Sequence, residues 1–266
     1  MRPGLKADGG ITSDRRAGTA ACHLVSYMQS QNPQAFFDQT RAATYDRQWA
    51  KLAPLRDALH LLINAVFADL PAEARILCVG AGTGSELIAL AQSFPQWRFT
   101  AVEPSAPMLD VCRRRAEECG VAARCEFHEG YLDSLPPADA FDAATSLLVS
   151  QFILAREART AFFRAISARL KPGGYLASSD LASDRNSPAY HSLLEVWLRV
   201  MEVSPEKVEQ LRAAYGRDVA VLPPAEVSEI IASGGFEAPI LFCQTGLIHA
   251  WYARRSPADA ATARPV

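Results

Sequence analysis

Apolar and polar positions alternate with two different periods along most of the chain. From about residue 75 onward, short apolar runs typical of buried strands are each followed by a stretch with apolar positions at helical spacing. This alternation predicts βαβ units and therefore an α/β fold with a parallel sheet. The predicted strands are, in chain order, RILCV, WRFTAVE, ARCEFHE, AFDAATSLLV, GGYLASSDL, APILFCQ and LIHAWYARR.

The last two predicted strands differ from the others in how they are joined. Only Thr245 and Gly246 separate them. A link of two residues permits a hairpin but no parallel crossover, which needs a dozen residues or more. We therefore expect the final strand to run antiparallel to its neighbour.

Several parts of the chain lie outside this alternation. Two amphipathic helices are predicted before the sheet, at residues 33–52 and 54–70, and the second has Pro54 in its first turn. A helical insertion at about 187–215 follows the fifth strand, where we expect a lid. The expected organisation is a mobile N-terminal extension at 1–32, N-terminal helices at 33–71, an α/β domain at 72–255 and a disordered tail at 256–266.

Composition narrows the class of protein further. The 266 residues are 49% hydrophobic and 21% charged, which is enough apolar material for one α/β domain with additions. The net charge of −2 argues against a protein that holds nucleic acid mainly through its phosphates. Six cysteines without a C-x-x-C pair indicate reduced, buried thiols in a cytoplasmic protein, and no leader or membrane span is evident. The five histidines are scattered, so we expect no metal site.

A glycine-rich turn between the first strand and the following helix is the strongest local signal. Its glycines, Gly80, Gly82 and Gly84, allow a tight turn and a close approach of the backbone to a ligand. Their spacing, G-x-G-x-G, places the third glycine one position earlier than in the dinucleotide fingerprint. The turn therefore favours a nucleoside ligand without a pyrophosphate over a nicotinamide dinucleotide.

An acidic residue at the end of the second strand strengthens this interpretation. Glu103 lies nineteen residues after Gly84, where a carboxylate can accept hydrogen bonds from both hydroxyls of a ribose. The alternative is a surface acid that caps the helix after Pro104. Strand, glycine turn and spacing together favour the ribose role.

Five segments in this order resemble the motifs of the class I S-adenosylmethionine-dependent methyltransferases, over about residues 36–254. They are ILCVGAGTG, AVEPSAPML, HEGYLDSLP, FDAATSLLVSQFI and LKPGGYLASSDL. The resemblance implies a Rossmann-like, doubly wound sheet of seven strands with the last strand antiparallel, which agrees with the predicted hairpin. It also implies S-adenosylmethionine as methyl donor and S-adenosylhomocysteine as product.

Position by position, the resemblance implies a set of cofactor contacts. The glycine turn would line the methionine and ribose, Glu103 would bind the ribose, and residues after the second and third strands would contact the adenine. The end of the fourth strand would lie under the sulfonium. The implied cofactor-binding residues are Tyr45, Gly80, Ala81, Gly82, Glu103, Pro104, Met108, Tyr131, Leu132, Ser146 and Leu147.

Three of these motif positions leave alternatives open. Tyr45 resembles a position that often closes over the cofactor, although a half-buried helix aromatic is an equal interpretation. Tyr131 stands where an Asp commonly accepts the adenine amino group, and its ring or hydroxyl would have to serve instead. Cys78 stands where the family usually has an acid, so another group must orient the methionine ammonium or binding is weaker. A protein that binds the cofactor without catalysis therefore remains an alternative.

The acceptor side carries less information. Methyl transfer needs alignment above all, and no catalytic residue is evident. Gln151, after the fourth strand, could face the acceptor or begin a polar loop. From Gln151 onward the chain also resembles the bacterial carboxymethyltransferases of the tRNA wobble uridine. Arg212 then falls on the arginine that, in that family, holds the carboxylate of carboxy-S-adenosylmethionine from the neighbouring subunit; a solvated helix arginine is the alternative.

These observations rank the possible functions. Motif order, mildly acidic charge and a helical cap favour an enzyme that methylates a small molecule. A tRNA-modifying (carboxy)methyltransferase that uses carboxy-S-adenosylmethionine is the second hypothesis. The glycine spacing disfavours a nicotinamide-dependent oxidoreductase. We expect a small-molecule substrate and no membrane partner, with a homodimer as a candidate oligomeric state.

Overall fold

The computed structural model describes residues 39–257, so the extension at 1–32, the start of the first predicted helix and residues 258–266 lie outside it. Between residues 39 and 257, seven strands form a single sheet in the order β3-β2-β1-β4-β5-β7-β6. The strands are β1 (Arg75–Val79), β2 (Arg98–Glu103), β3 (Cys125–Glu129), β4 (Phe141–Leu147), β5 (Leu170–Leu181), β6 (Ile240–Thr245) and β7 (Ile248–Arg254).

Strand directions follow the prediction. The pairs within β3-β2-β1-β4-β5 are parallel, and β7 runs antiparallel to both β5 and β6. The turn at Thr245 and Gly246 closes the β6–β7 hairpin, because two residues cannot cross the sheet. The Rossmann-like seven-stranded fold with an antiparallel last strand is therefore confirmed.

The helices precede the sheet, connect its strands and form the insertion. They are α1 (Gln39–Gln48), α2 (Ala53–Val66), α3 (Ser85–Ser93), α4 (Ala106–Glu118), α5 (Arg156–Arg169), α6 (Pro188–Val200), α7 (Pro205–Ala214) and α8 (Pro224–Ser233). The first predicted helix ends earlier than expected, at Gln48, and a 3-10 turn at Ala50–Leu52 leads into α2. None of the helices between residues 39 and 257 has the length and apolar content to cross a bilayer.

Helices cover both faces of the sheet because consecutive side chains of a strand point to opposite sides. In β1, Ile76 and Cys78 pack into one apolar cluster with α2, α3 and α4. Leu77 and Val79 pack into a second cluster with α5 and α8. Strands buried on both faces read as continuous apolar runs, which is why β1 was predicted at its observed bounds.

The insertion packs in a third apolar cluster, which also includes Leu181 of β5 and Ile248 of β7. Leu194, Trp197 and Leu211 pack together there, and the indole of Trp197 donates a hydrogen bond to the hydroxyl of Tyr215 at 3.0 Å. Trp49, from the turn that follows α1, packs against this same cluster. The insertion is thus connected to the N-terminal helices as well as to the sheet.

The cysteines agree only partly with the expectation of buried thiols. Between residues 39 and 257 all of them are free; Cys78 and Cys112 are buried, and Cys125 and Cys243 are partly buried. Cys119 is exposed, since it is the residue at which α4 ends. The prediction of burial is therefore wrong at this position.

The parallel strands all end at one edge of the sheet. The strand order reverses between β1, which connects onward to β2, and β4, which connects onward to β5. In open α/β sheets, ligands bind in the crevice outside the carboxyl ends of the strands at such a reversal. The fold therefore predicts a ligand site at the residues that follow β1, β2 and β4.

Candidate functional site

A cavity of about 740 Å³ lies at this edge, a size typical of small-molecule sites. Its walls come from the glycine turn, the ends of β2 and β4, the loop after β3, the N-terminal helices and the insertion. It contains most of the cofactor contacts implied by the sequence: Tyr45, Gly80, Ala81, Gly82, Glu103, Pro104, Met108, Tyr131, Leu132 and Leu147.

The turn after β1 requires glycine for two separate reasons. Gly80 and Gly84 have left-handed backbone angles, with φ of +71° and +79°. A Cβ at Gly80 would also lie 2.5 Å from a methyl of Val149, and one at Gly84 would lie 2.4 Å from the sulfur of Cys112. The glycines therefore bring the turn against the residues after β4 and bring α3 against α4.

Glu103 is held by the backbone around it. One carboxylate oxygen accepts the N–H of Gly82 and the other accepts the N–H of Ser105, both at 2.9 Å. The side chain is buried and lines the cavity, and burial raises the pKa of its carboxyl although both N–H groups oppose the shift. It is not a surface cap, because the hydroxyl of Ser105 caps α4. Each oxygen keeps a lone pair for a further donor, as ribose binding requires.

The residues predicted to contact the adenine lie together at one end of the cavity. Pro104 and Met108 follow β2, while Tyr131 and Leu132 follow β3. Leu132 is buried, whereas Tyr131 is half exposed at the rim, where its ring or hydroxyl remains available to a ligand. Phe162 of α5 also reaches this end, and the sequence had not indicated it.

Tyr45 reaches the cavity from α1 and is half-buried. It is therefore a half-buried helix aromatic that also lies where it could close over a cofactor, and the two interpretations do not exclude each other. Burial, together with the nearby carboxylates of Asp46, Glu103 and Glu86, raises the pKa of its phenol. The neighbouring Asp46 holds α1 in place. Its carboxylate accepts the hydroxyl of Thr83 at 2.9 Å and forms a 2.8 Å ion pair with Arg115 of α4.

Two predicted residues do not reach the cavity. Ser146 is fully buried and lies behind the wall, because side chains alternate along β4 and Leu147 is the one that faces the cavity. Arg212 lies on α7, away from the cavity lining, with its guanidinium 3.6 Å from the carboxylate of Glu209. Its side chain is one-third exposed, and a contact with the site of a neighbouring subunit stays a prediction.

Gln151 does reach the cavity, although much of its hydrogen bonding is structural. Its side-chain oxygen accepts the N–H of Leu181 at 2.7 Å, and its backbone N–H donates to Asp180 at 2.8 Å. The residue is buried and fixes the segment after β4 against β5. Contact of Gln151 with an acceptor therefore stays a prediction.

A buried ion pair that the sequence did not indicate supports the same segment. Arg159 and Asp180 are 1% and 0% exposed, and their closest charged atoms are 2.9 Å apart. The hydroxyl of Ser150 donates to Asp180 at 2.7 Å and accepts from Arg159 at 2.8 Å. Nearby Leu148, which lines the cavity, has a left-handed φ of +58°, a strained conformation for a branched side chain.

Glu86 is a second acid in the wall that the sequence did not single out. It is the second residue of α3, only 9% exposed, and lines the cavity close to Glu103. Burial raises the pKa of its carboxyl to about 7. The sequence does place Glu86 in the first helical turn after the glycines. An acid there is normally explained by its favourable effect on helix stability, so the position alone did not indicate a binding role.

The remaining part of the cavity is almost entirely apolar. Its walls include Trp49, Leu52, Leu55, Leu59, Phe152, Ile153, Leu181, Trp197 and Ile248. We refer to this part as the apolar chamber. His60 is a polar exception in its wall, and burial lowers the pKa of the imidazole to about 4, so the ring is neutral at pH 7.

Comparison with known proteins agrees with this geometry. Residues 76–174 match the protein family described as Methyltransferase domain. Over 115 residues the chain is 34% identical to the biotin biosynthesis bifunctional protein BioHC of Teredinibacter turnerae, covering 41% of this chain and 20% of that protein. Over 107 residues it is 35% identical to the erythromycin 3''-O-methyltransferase of Saccharopolyspora erythraea, covering 40% and 34%. The chain thus spans only 20% and 34% of the lengths of these two curated relatives.

Solved structures show the same fold. An O-methyltransferase family protein from Burkholderia thailandensis superposes with a TM-score of 0.64 at 17% identity, covering 86% of this chain and 64% of that one. The S-adenosylmethionine-dependent methyltransferase SibL superposes with a TM-score of 0.57 at 18% identity, covering 91% and 71%. At these identities the likeness shows the fold alone, and the match of residues 76–174 to the family described as Methyltransferase domain agrees with the predicted enzyme class.

Proposed function

We propose that the protein transfers a methyl group from S-adenosylmethionine to a small, largely apolar acceptor. The observation that carries this proposal is the continuity of one cavity. At one end lie the glycine turn and Glu103, which suit a nucleoside, and at the other lies the apolar chamber. A donor and an acceptor bound in these two parts would meet near Leu147 and Gln151.

The donor end fits S-adenosylmethionine in its residue types. Glu103 would accept the ribose hydroxyls, with its carboxylate already oriented by the N–H groups of Gly82 and Ser105. Pro104, Met108 and Leu132 would enclose the adenine. When bound, the cofactor supplies a methyl group activated by a sulfonium, so the protein has to align the acceptor and exclude water.

The acceptor end favours an apolar molecule of modest size. Binding of an apolar acceptor would be favoured by about 25 cal/mol of free energy for each Å² of apolar surface removed from water. His60, as a neutral imidazole, offers one hydrogen bond to a polar group of the acceptor. Trp49 and Leu52, from the turn between α1 and α2, line the chamber and pack against the apolar cluster of the insertion, which suits an enclosed small molecule better than a tRNA.

Ligand binding and product analysis test the proposal together. Mass spectrometry of the ligand that co-purifies with the protein should find S-adenosylmethionine or S-adenosylhomocysteine, and calorimetry should detect S-adenosylhomocysteine but not NAD. Release of S-adenosylhomocysteine should then depend on apolar small-molecule acceptors. Tight binding of NAD without any response to S-adenosylhomocysteine would refute the methyltransferase assignment. Recovery of carboxy-S-adenosylmethionine instead would favour the tRNA carboxymethyltransferase hypothesis.

A further inference from the structure

The methyltransferase motifs place an acid at position 78, and this chain has none there. Cys78 is fully buried and packs in the apolar cluster beneath the sheet with Leu87 and Cys112. Burial raises the pKa of its thiol well above the usual value, so the side chain is uncharged. Cys78 does not belong to the cavity wall. It can contribute no charge to a ligand.

Other acids of the cavity wall are already engaged or lie elsewhere. Asp46 is paired with Arg115 and accepts the hydroxyl of Thr83. Glu103 faces the position proposed for the ribose. Asp133 is exposed in the loop after β3, at the adenine end. None of these three is a free anion near the turn.

Glu86 is the acid that remains. Its carboxyl is supported by the N–H groups of Glu86 and Leu87 at the start of α3, and Arg115 acts on it through space. Within residues 39–257, no lysine or arginine forms a salt bridge with it, because the nearby Arg115 contacts Asp46. A carboxylate that is nine-tenths buried without a contacting cation is unfavourable. A cationic ligand group in the cavity would remove this penalty.

We propose that Glu86 binds the ammonium group of the methionine portion of S-adenosylmethionine, and so replaces the acid missing at position 78. The inference rests on the proposed function. It assigns a specific role to a cavity-wall side chain that directly follows the glycine turn and lies within electrostatic reach of Tyr45. The contact would be a charge-assisted hydrogen bond in a site shielded from water.

Two nucleoside ligands separate this contact from the rest of the site. S-adenosylhomocysteine carries the amino-acid group, whereas 5′-methylthioadenosine has the same nucleoside and thioether without it. Calorimetric titration of the Glu86→Gln variant should show S-adenosylhomocysteine binding weakened about ten- to a hundredfold, with 5′-methylthioadenosine changed less than about threefold. Glu103→Gln is the matched control, because both ligands contain the ribose and both should weaken.

Each outcome decides between the alternatives. Equal weakening of both ligands by Glu86→Gln, or no weakening of S-adenosylhomocysteine, would overturn the role of Glu86. Retained 5′-methylthioadenosine binding also shows that the variant is folded. If the wild-type protein binds neither ligand, the proposed function itself fails, which is a different result from an unchanged affinity ratio.

The wild-type protein offers a second measurement. An ammonium would stabilise the charged form of Glu86, whose carboxyl pKa without ligand is about 7, so affinity should rise with pH. From pH 6 to 7.5 the ratio of S-adenosylhomocysteine to 5′-methylthioadenosine affinity should increase roughly eightfold. A constant ratio would contradict the proposal. The titratable groups that face Glu86 from neighbouring elements are Tyr45, Cys78, Glu103, Cys112 and Arg115. Both ligands contain the ribose, so a change in the ionisation of Glu103 affects both affinities and cancels in their ratio.

Discussion

Replacing Arg159 by leucine removes the cation from the buried ion pair behind the segment after β4. The carboxylate of Asp180 would lose its contact at 2.9 Å and stay fully buried with a negative charge. It would keep the donors of Ser150 and Gln151, at 2.7 and 2.8 Å, but neither carries charge. Removing one partner of a buried pair destabilises proteins by about 3–5 kcal/mol, and we expect Arg159→Leu to fall in this range.

Urea unfolding followed by circular dichroism measures this loss. With a slope of about 2.5–3 kcal/mol per molar urea, the midpoint should fall by roughly 1–2 M. Arg156→Leu is the matched control, because Arg156 lies on the same helix and pairs with Glu226 and Glu229 at the surface. Exposed pairs contribute about 0–1 kcal/mol, so the control should shift the midpoint little.

A double variant separates the buried charge from the lost packing. Asp180→Asn removes the charge that Arg159→Leu leaves unpaired, so the combined variant should recover part of the stability lost in Arg159→Leu alone. A midpoint for Arg159→Leu no lower than that of Arg156→Leu would refute the reasoning. So would a double variant whose loss equals the sum of the two single losses.

Three further predictions concern the cavity wall and its ligands. Glu103→Ala should weaken S-adenosylhomocysteine about ten- to a hundredfold by calorimetry, and an unchanged dissociation constant in the folded variant would exclude a ribose contact. Asp46→Asn removes an ion pair with Arg115 that is about one-third exposed, so the amides of α1 should exchange hydrogen about two- to fivefold faster by mass spectrometry, and unchanged exchange would show that α1 is held by other contacts. Unmodified tRNA should bind weakly across a salt series; steeply salt-dependent binding that Arg212→Ala weakens would instead support the tRNA-modifying hypothesis.

Most of the fold could be predicted because its strands and helices carry strong periodic patterns. The apolar run of β1 and the helical spacing of α3 each follow from burial, and the two-residue link before β7 permits only a hairpin. The first helix was predicted too long, since Trp49 and the turn at Ala50–Leu52 continue the amphipathic pattern while bending the chain.

The site was predicted less completely, for reasons that lie in three dimensions. Asp180 reads as a polar residue at the end of a strand, and Arg159 as one of several charges on a helix; their sequence positions do not indicate that they meet. Ser146 and Leu147 are adjacent in sequence, and only the register of β4 decides which one faces the cavity. Glu86 was missed because an acid in a first helical turn has a sufficient local explanation.

The two ends of the cavity come from different stretches of the chain. Apart from Tyr45, the cavity residues assigned to the donor lie within residues 76–174, the stretch that matches the family described as Methyltransferase domain. Much of the apolar chamber comes from outside it, from Trp49, Leu59 and His60 before and from Leu181 and Trp197 after. Substitutions in the flanking segments could therefore change the acceptor of a homologue while the stretch that binds the methyl donor keeps its sequence. Acceptor specificity in such proteins should be inherited with the flanks, and chimaeras joined near residues 75 and 175 should transfer it.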